Sequence, residues 1–122
     1  MSMLNLLAQP VAVATTDTIA TLSVRENSDV AVEVKNAGAA ALDAFVVQGR
    51  AGDNGAWFTL LSASGDYTTP KYPLQRATVD PTSLAGGAST LLLLKAAGLT
   101  DLRFQMSSAV SATTVDIHAH ST

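Results

Sequence analysis

The residues best suited to chemistry lie near the end of the sequence, where Asp116, His118 and His120 occupy alternate positions. Residues two apart in a strand share a face, so these side chains are expected on one surface. Two imidazoles and a carboxylate are suitable transition-metal donors. One copy supplies too few ligands, whereas three copies around a threefold axis would supply six histidines. The sequence therefore predicts no metal in the isolated chain and names these residues as the metal candidates of a trimer; the alternative is a solvated edge strand.

Catalytic motifs are missing from the sequence. It contains no Gly-x-Ser-x-Gly elbow, no phosphate-binding Gly-x-x-x-x-Gly-Lys and no His-Glu-x-x-His. No histidine precedes His118, so a Ser-His-Asp triad would have to use one of the two C-terminal histidines. Most carboxylates lie in predicted turns or on polar strand faces. The sequence thus predicts a protein that is not an enzyme and needs no cofactor.

Two further groups of residues are candidates for binding. Trp57, Tyr67 and Tyr72 could form a platform on which a sugar stacks, or they could pack within the protein and hold a long loop in place. Asp53 and Asn54 offer oxygen ligands to calcium, but further carboxylates are lacking nearby. An Asn-Gly pair at positions 54 and 55 favours a type I′ hairpin turn there instead.

The elements that would position these residues are strands. Val30, Val32 and Val34 alternate with small or charged residues, which is typical of a half-buried strand. Similar patterns predict strands at residues 18–24, 30–35, 42–48, 57–61, 90–95, 101–106 and 114–118, with 18–24 in the opposite sheet. The prolines within residues 64–83 predict a long connection with one edge segment.

Two details of this prediction concern the second half of the chain. Four consecutive leucines at positions 91–94 predict a strand buried on both faces, with a short helix over 91–99 as the alternative. The link at residues 107–113 predicts a hairpin between the last two strands.

These elements predict an all-β fold. Seven or eight short strands without cysteine or long helices indicate a two-layer antiparallel β-sandwich, with the immunoglobulin-like version preferred. A jelly roll or small barrel is the alternative, because the number of strands does not separate these folds.

Composition limits the partners. The chain has 122 residues, a net charge of −3, 48% hydrophobic residues and only 14% charged residues. Without basic runs or a long apolar segment, neither nucleic acid nor membrane is an expected partner. The absence of cysteine excludes disulfides and thiolate chemistry.

The N-terminal segment is predicted to be an arm. Residues 1–16 lack the basic and continuous apolar regions of a signal peptide, and residues 17–122 are assigned to a single sandwich domain. Leu4, Leu6 and Leu7 have too few neighbours of their own to be buried, so we expect a partner to cover them, with the arm adding a strand to that partner.

Four segments of the sequence carry a resemblance to a known class of proteins. They read Val-Glu-Val-Lys-Asn-Ala-Gly-Ala, Ala-Leu-Asp-Ala-Phe-Val-Val-Gln, Asp-Pro-Thr-Ser-Leu-Ala-Gly-Gly-Ala-Ser-Thr-Leu-Leu-Leu-Leu and Asp-Leu-Arg-Phe-Gln-Met-Ser-Ser-Ala. Together they resemble small immunoglobulin-like proteins of tailed-phage virions, over residues 30–117. Similar patterns also occur in bacterial surface domains.

The resemblance implies a non-enzymatic structural protein located in the virion. The favoured role is a capsid decoration, or cement, protein that stabilises the head by binding the lattice of the major capsid protein. Its interface would include Leu4, Leu6, Leu7, Tyr67 and Tyr72, and its expected form is a homo-oligomer, with a trimer preferred. The alternatives are a neck or tail component, or a bacterial extracellular adhesion or carbohydrate-binding module.

Overall fold

A computed structural model describes residues 5–24, 29–52, 54–69 and 71–121. The strands are β1 (Asn5–Val13), β2 (Thr18–Ser23), β3 (Asp29–Asn36), β4 (Leu42–Arg50), β5 (Phe58–Leu61), β6 (Leu74–Ala77), β7 (Ser89–Lys95), β8 (Asp101–Ser108) and β9 (Thr113–Ser121). Short 3₁₀ turns lie at Ser64–Tyr67 and Pro81–Ser83. No helix in the described part of the chain has the length and apolar character needed to cross a bilayer.

The strands form two antiparallel sheets, which confirms the predicted two-layer sandwich. One sheet has the order β1-β9-β3-β7-β6 and the other has the order β2-β8-β4-β5. An immunoglobulin fold keeps its first two strands in one sheet, whereas β1 and β2 lie in different sheets here. The observed order is instead that of the jelly-roll alternative, with β6 added at an edge.

The core lies between the two sheets and is built from the inward faces of the strands. Phe45 of β4 stacks on Phe104 of β8 with their ring centroids 5.5 Å apart. The alternation seen in β3 is confirmed, because Val30, Val32 and Val34 are all buried there. The 64–83 connection also contains the expected edge segment, which is β6.

The four leucines of β7 do not share one environment. Leu92 and Leu94 are fully buried, whereas Leu91 is 38% exposed and Leu93 is half-buried. The prediction of a strand buried on both faces is therefore wrong, because only one face of this sheet meets the core. The alternative helix over 91–99 is also wrong, since residues 91–95 pair with β3 and residues 96–99 form a turn closed by the bond from the N–H of Leu99 to the carbonyl of Ala96.

The predicted hairpin between β4 and β5 is present, but its turn differs. The strands pair antiparallel, and residues 51–57 separate them. Gly55 donates its N–H to the carbonyl of Gly52 at 2.9 Å and lies outside the positive-φ region that a type I′ turn requires. The prediction of a two-residue turn at Asn54-Gly55 is therefore wrong. The strands are joined instead by a longer loop, in which Gly52 accepts the hydrogen bond from Gly55.

The predicted hairpin between the last two strands is wrong. β8 lies in the four-stranded sheet and β9 in the five-stranded sheet, so residues 109–112 cross from one layer to the other. Both strands alternate in the way a hairpin would require, but alternation reports which face is buried and not which strand is the neighbour.

Most of the N-terminal segment belongs to a strand of this sandwich. β1 lies at the sheet edge and pairs with β9 from Asn5 opposite His120 to Val13 opposite Thr113. The edge position explains how Pro10 is tolerated, since proline cannot donate a hydrogen bond within a sheet. The segment predicted as an arm thus pairs with its own chain over β1.

A polar joint connects three segments at one end of the sandwich. The buried side chain of Asn36 donates to the carbonyls of Ala40 and Leu84 at 2.7 and 3.1 Å. Its side-chain oxygen accepts from the hydroxyl of Thr113 at 2.7 Å and from the N–H of Gly38 at 3.3 Å. The buried asparagine therefore has all of its amide groups paired and links the three segments to one another.

Candidate functional site

The predicted metal residues share one face, as their spacing indicated. Asp116, His118 and His120 lie along β9 on the outer side of the five-stranded sheet, where Asp116 faces Lys35 and His118 faces Glu33 on β3. Residues two apart in a strand are separated by about 6.6 Å, so this strand offers an ion at most the two histidines, and the remaining ligands must come from another element.

No metal cluster is assembled from the described residues. Among them, no group of three or more histidine, cysteine, aspartate or glutamate side chains is placed to hold an ion. The trimeric site built from three copies of His118 and His120 stays a prediction. The calcium candidate Asp53 lies outside the described residues, and its neighbour Asn54 is exposed in the loop between β4 and β5.

Tyr67 belongs to the core. Its side chain is 3% exposed, its hydroxyl donates to the carbonyl of Phe45 at 2.7 Å, and its ring meets that of Phe45 edge-on at 6.3 Å. Burial raises the pKa of the Tyr67 hydroxyl far above its usual range, with the charges of Asp66 and Asp80 adding to the effect. The prediction that Tyr67 lies at an interface or sugar platform is therefore wrong.

Trp57 forms a cluster with two arginines on the outer face of the four-stranded sheet. The guanidinium carbons of Arg50 and Arg103 lie 4.7 and 4.4 Å from the centre of its ring. Arg50 comes from the end of β4 and Arg103 from β8, so Trp57 spans two neighbouring strands from its position just before β5. Cation–π contacts of this kind hold the half-buried ring in place.

Hydrogen bonds fix both arginines in turn. The Nε of Arg50 lies 2.8 Å from a carboxylate oxygen of Asp101, and the Nε of Arg103 donates to the side-chain oxygen of Gln48 at 2.5 Å. Gln48 then donates to the hydroxyl of Thr59 at 3.0 Å. We call Trp57, Arg50, Arg103, Gln48 and Thr59 the tryptophan face. Contacts within the chain itself hold its polar side chains in place.

Apolar side chains continue this surface away from the tryptophan. Ile19 of β2 is 49% exposed, and Val46 of β4 is half-buried. Both lie opposite Gln105 of β8, one on each side, so they form a row next to the tryptophan face. The outer face of this sheet therefore combines an aromatic ring, two arginines and exposed apolar groups.

The remaining candidate, Tyr72, lies beside the other sheet. It precedes β6 at the edge of the five-stranded sheet, and its side chain is 56% exposed. A cleft of about 430 Å³ opens there, lined by Lys71, Tyr72, Leu74, Gln75 and Lys95. The three aromatic residues predicted as one platform are thus divided among the core, the tryptophan face and this cleft.

The predicted interface leucines are only partly described. Leu4 lies outside the described residues, and the backbone of Leu6 and Leu7 lies in β1. Their interface role stays a prediction. Sequence analysis missed Arg50, Arg103 and Gln48. The alternation of residues 101–106 placed only Arg103 opposite the apolar face, whereas Arg50 lies beyond the predicted strand 42–48 and that strand was expected to be covered on both sides. Positions 50, 57 and 103 are too far apart in sequence for any local pattern to join them.

The strand order of the two sheets defines the chain as a small jelly-roll β-sandwich protein. No family profile matches its sequence, and no curated protein matches it. Solved structures resemble it in fold, at sequence identities that show the fold alone.

Three of these structures show how far the likeness extends. The SPBc2 prophage-derived protein YomS has a TM-score of 0.54 and 14% identity, covering 98% of this chain and 92% of its own. The surface-associated copper-binding protein CorA of Methylomicrobium album BG8 gives 0.55 and 8%, covering 92% and 91%. A chitosan-binding module from a chitosanase/glucanase of Paenibacillus sp. IK-5 gives 0.51 and 11%, covering 90% and 74%.

Proposed function

We propose that the chain is a non-enzymatic structural protein of a phage virion, which acts as a capsid decoration protein bound to the lattice of the major capsid protein. Its contact surface is the tryptophan face. The fold likeness to the prophage-derived protein YomS, which spans nearly all of both chains, supports the phage association.

The composition of the tryptophan face is the observation that carries this proposal. Tryptophan and arginine are enriched among the residues that dominate protein–protein binding energy, and such residues lie in ordered, well-packed surroundings. Here Trp57 lies against both Arg50 and Arg103, while Ile19 and Val46 extend the apolar area. An ordered surface loses little side-chain freedom when a partner binds, which favours affinity.

The low charge of the whole chain supports the same role. Charged residues amount to 14%, so much of the surface is neutral and can lie against protein neighbours. A decoration protein repeats over a symmetric lattice, and many modest contacts then add through effective concentration. We include a homo-oligomer in the proposal, with a trimer preferred, which sedimentation velocity of the purified protein would measure.

Particle-level density tests the location. In virions of the phage that encodes this chain, we expect copies repeated across the capsid lattice. A single ring at the neck or tail would replace decoration with the connector role, and absence from the particle would overturn the virion proposal.

Binding to expanded heads tests the surface. Trp57→Ala and, separately, Ile19→Glu are expected to weaken co-sedimentation with the heads by about tenfold or more. Val110→Ala, at a residue that is 83% exposed on another part of the molecule, is the matched control and should bind like the unaltered protein. Unchanged binding of both Trp57→Ala and Ile19→Glu, with their thermal unfolding intact, would exclude the tryptophan face and the apolar row beside it as the contact.

A further inference from the structure

The Tyr72 cleft is built on a short turn that the surrounding strands hold in place. Lys71 and Leu74 exchange both backbone hydrogen bonds, at 3.0 and 2.5 Å, so Tyr72 and Pro73 form the tip of the turn. The carbonyl of the buried Pro73 accepts from the N–H of Lys95 at 2.7 Å, which fastens the turn to β7. The turn therefore presents the Tyr72 ring to solvent from an ordered backbone.

A second set of contacts fixes the wall of the cleft. The ammonium group of Lys71 lies 2.9 Å from a carboxylate oxygen of Asp66. The other oxygen of Asp66 accepts from the N–H groups of Ser62 and Ala63 at 2.9 and 3.1 Å. The Ser62 bond, then Lys71 and the Ala63 bond, lower the pKa of Asp66 to about 2, so this carboxylate is charged at neutral pH.

The charges around the cleft are balanced. Asp66 compensates Lys71, and Lys95 lies directly opposite Asp29 on the neighbouring strand β3. A phosphate or a polyanion would therefore meet no surplus of positive charge between these four groups. The cleft favours a ligand without net charge.

The polar groups in the cleft suit hydroxyls. Lys71 and Lys95 are hydrogen-bond donors, and the Gln75 amide both donates and accepts. Beside them, Tyr72 offers an aromatic ring with more than half of its surface free, since 56% is exposed. Aromatic surface bordered by donors and acceptors complements a sugar ring, which has an apolar face and a rim of hydroxyls. The volume of about 430 Å³ lies within the range of small-ligand sites.

We propose that this cleft is a binding site for a neutral saccharide, whose ring stacks on Tyr72 while Gln75, Lys71 and Lys95 bond its hydroxyls. The site lies on the five-stranded sheet, apart from the tryptophan face of the four-stranded sheet. The inference goes beyond the proposed structural role and does not depend on it.

The test uses the full chain and a printed array of neutral oligosaccharides built from glucose, galactose, mannose and N-acetylhexosamines, alongside sulfated and uronic-acid glycans. We expect neutral glycans to bind. In an NMR titration with the best neutral glycan, shifts should concentrate at Tyr72, Gln75 and Lys95. Tyr72→Ala should weaken binding by about tenfold or more, whereas Tyr72→Phe should retain it.

Phe58→Ala is the matched control, because Phe58 is an aromatic residue that is 65% exposed on the other sheet. It should bind the glycan like the unaltered protein, and thermal unfolding confirms that each variant is folded. The proposal is overturned if no neutral glycan binds at millimolar concentration, if only acidic glycans bind, or if folded Tyr72→Ala binds normally. Capsid binding by Tyr72→Ala is scored separately, so the two proposals can fail independently.

Discussion

At the scale of single residues, Asn36 shows how a polar side chain can be essential to an apolar fold. It is completely buried, yet its amide makes four hydrogen bonds to three segments that lie far apart in sequence. Nearby, a Cβ on Gly86 would come within 2.5 Å of the carbonyl oxygen of Ala39, so the crossing segments also depend on close backbone approach.

Replacing Asn36 should therefore be costly. Asn36→Ala leaves the carbonyls of Ala40 and Leu84 and the hydroxyl of Thr113 without this partner in a buried site, and we expect a loss of about 3 kcal/mol in the free energy of unfolding. Urea unfolding measures it. Asn54→Ala, at an exposed asparagine, is the matched control and should change stability by less than about 0.5 kcal/mol. Equal effects in the two variants would contradict the role given to the hydrogen bonds of Asn36.

The buried hydroxyl of Tyr67 predicts a loss of stability at high pH. The unfolded chain releases this proton near the usual pKa of about 10, whereas burial raises the pKa in the folded protein. The contribution is thus fully present below pH 10 and declines as the pH rises above 10, because only the unfolded state then gains from ionisation.

The matched pair of tyrosines makes this measurable. Tyr67→Phe should lower the free energy of unfolding at pH 7 by about 1 kcal/mol, through loss of the bond to Phe45, and should reduce its decline between pH 10 and 11.5. Tyr72→Phe, at the exposed tyrosine, should leave that decline unchanged. Denaturant unfolding across this pH range gives both values, and identical pH profiles for the two variants would refute the assignment.

Residue types alone could not separate these aromatic residues. Tyr67 and Tyr72 both lie in the proline-rich segment, and burial of only the first depends on its contact with Phe45, 22 residues away in sequence. Trp57 likewise has no local signal for its arginines. Sequence reasoning could list the aromatic candidates, whereas their division among three places depends on tertiary packing.

At the scale of elements, alternation predicted the strands well and their neighbours less well. The pattern at residues 30–35 identified β3 because one of its faces meets the core. The same kind of pattern in β8 and β9 suggested a hairpin that does not form. The prediction failed because alternation does not indicate which sheet a strand joins. The leucine run in β7 was misinterpreted for a related reason. Of four consecutive apolar residues in a strand, two point toward the core and two point outward, and the residue types do not indicate whether the outer face is covered.

Because β1 pairs with β9 of its own chain, an N-terminal deletion that removes part of β1 tests the stability of the sandwich. Removing residues 1–10 strips the pairing from Asn5 opposite His120 to Pro10 opposite Asp116 and exposes the edge of β9. We expect the free energy of unfolding to fall by more than about 2 kcal/mol, which thermal and urea unfolding would detect. A deletion with unchanged stability would contradict the contribution of β1 to the sandwich.

A shorter deletion separates stability from assembly. Removing residues 1–4 keeps all of β1, so it addresses the predicted interface role of Leu4 without breaking the pairing with β9. We expect this variant to unfold like the full chain and to self-associate more weakly in sedimentation velocity. Unchanged self-association would remove Leu4 from the interface.

At the scale of the whole molecule, the two sheets present different surfaces to their surroundings. The four-stranded sheet carries the aromatic and guanidinium cluster, and the five-stranded sheet carries the histidine row of β9 and, at its edge, the Tyr72 cleft. Fold class followed from strand number and composition. This division did not, because it depends on which strands the jelly-roll connections place together.

The pairing of β1 with β9 also brings the two ends of the described chain side by side, with Asn5 opposite His120. A short glycine–serine linker could therefore join them, and new ends could be opened in the 51–57 loop. Such a circular permutant should keep the same circular dichroism spectrum and a cooperative unfolding transition. The same geometry means that peptides attached at Asn5 and at His120 would leave the protein from one point, which suits the sandwich as a scaffold for display.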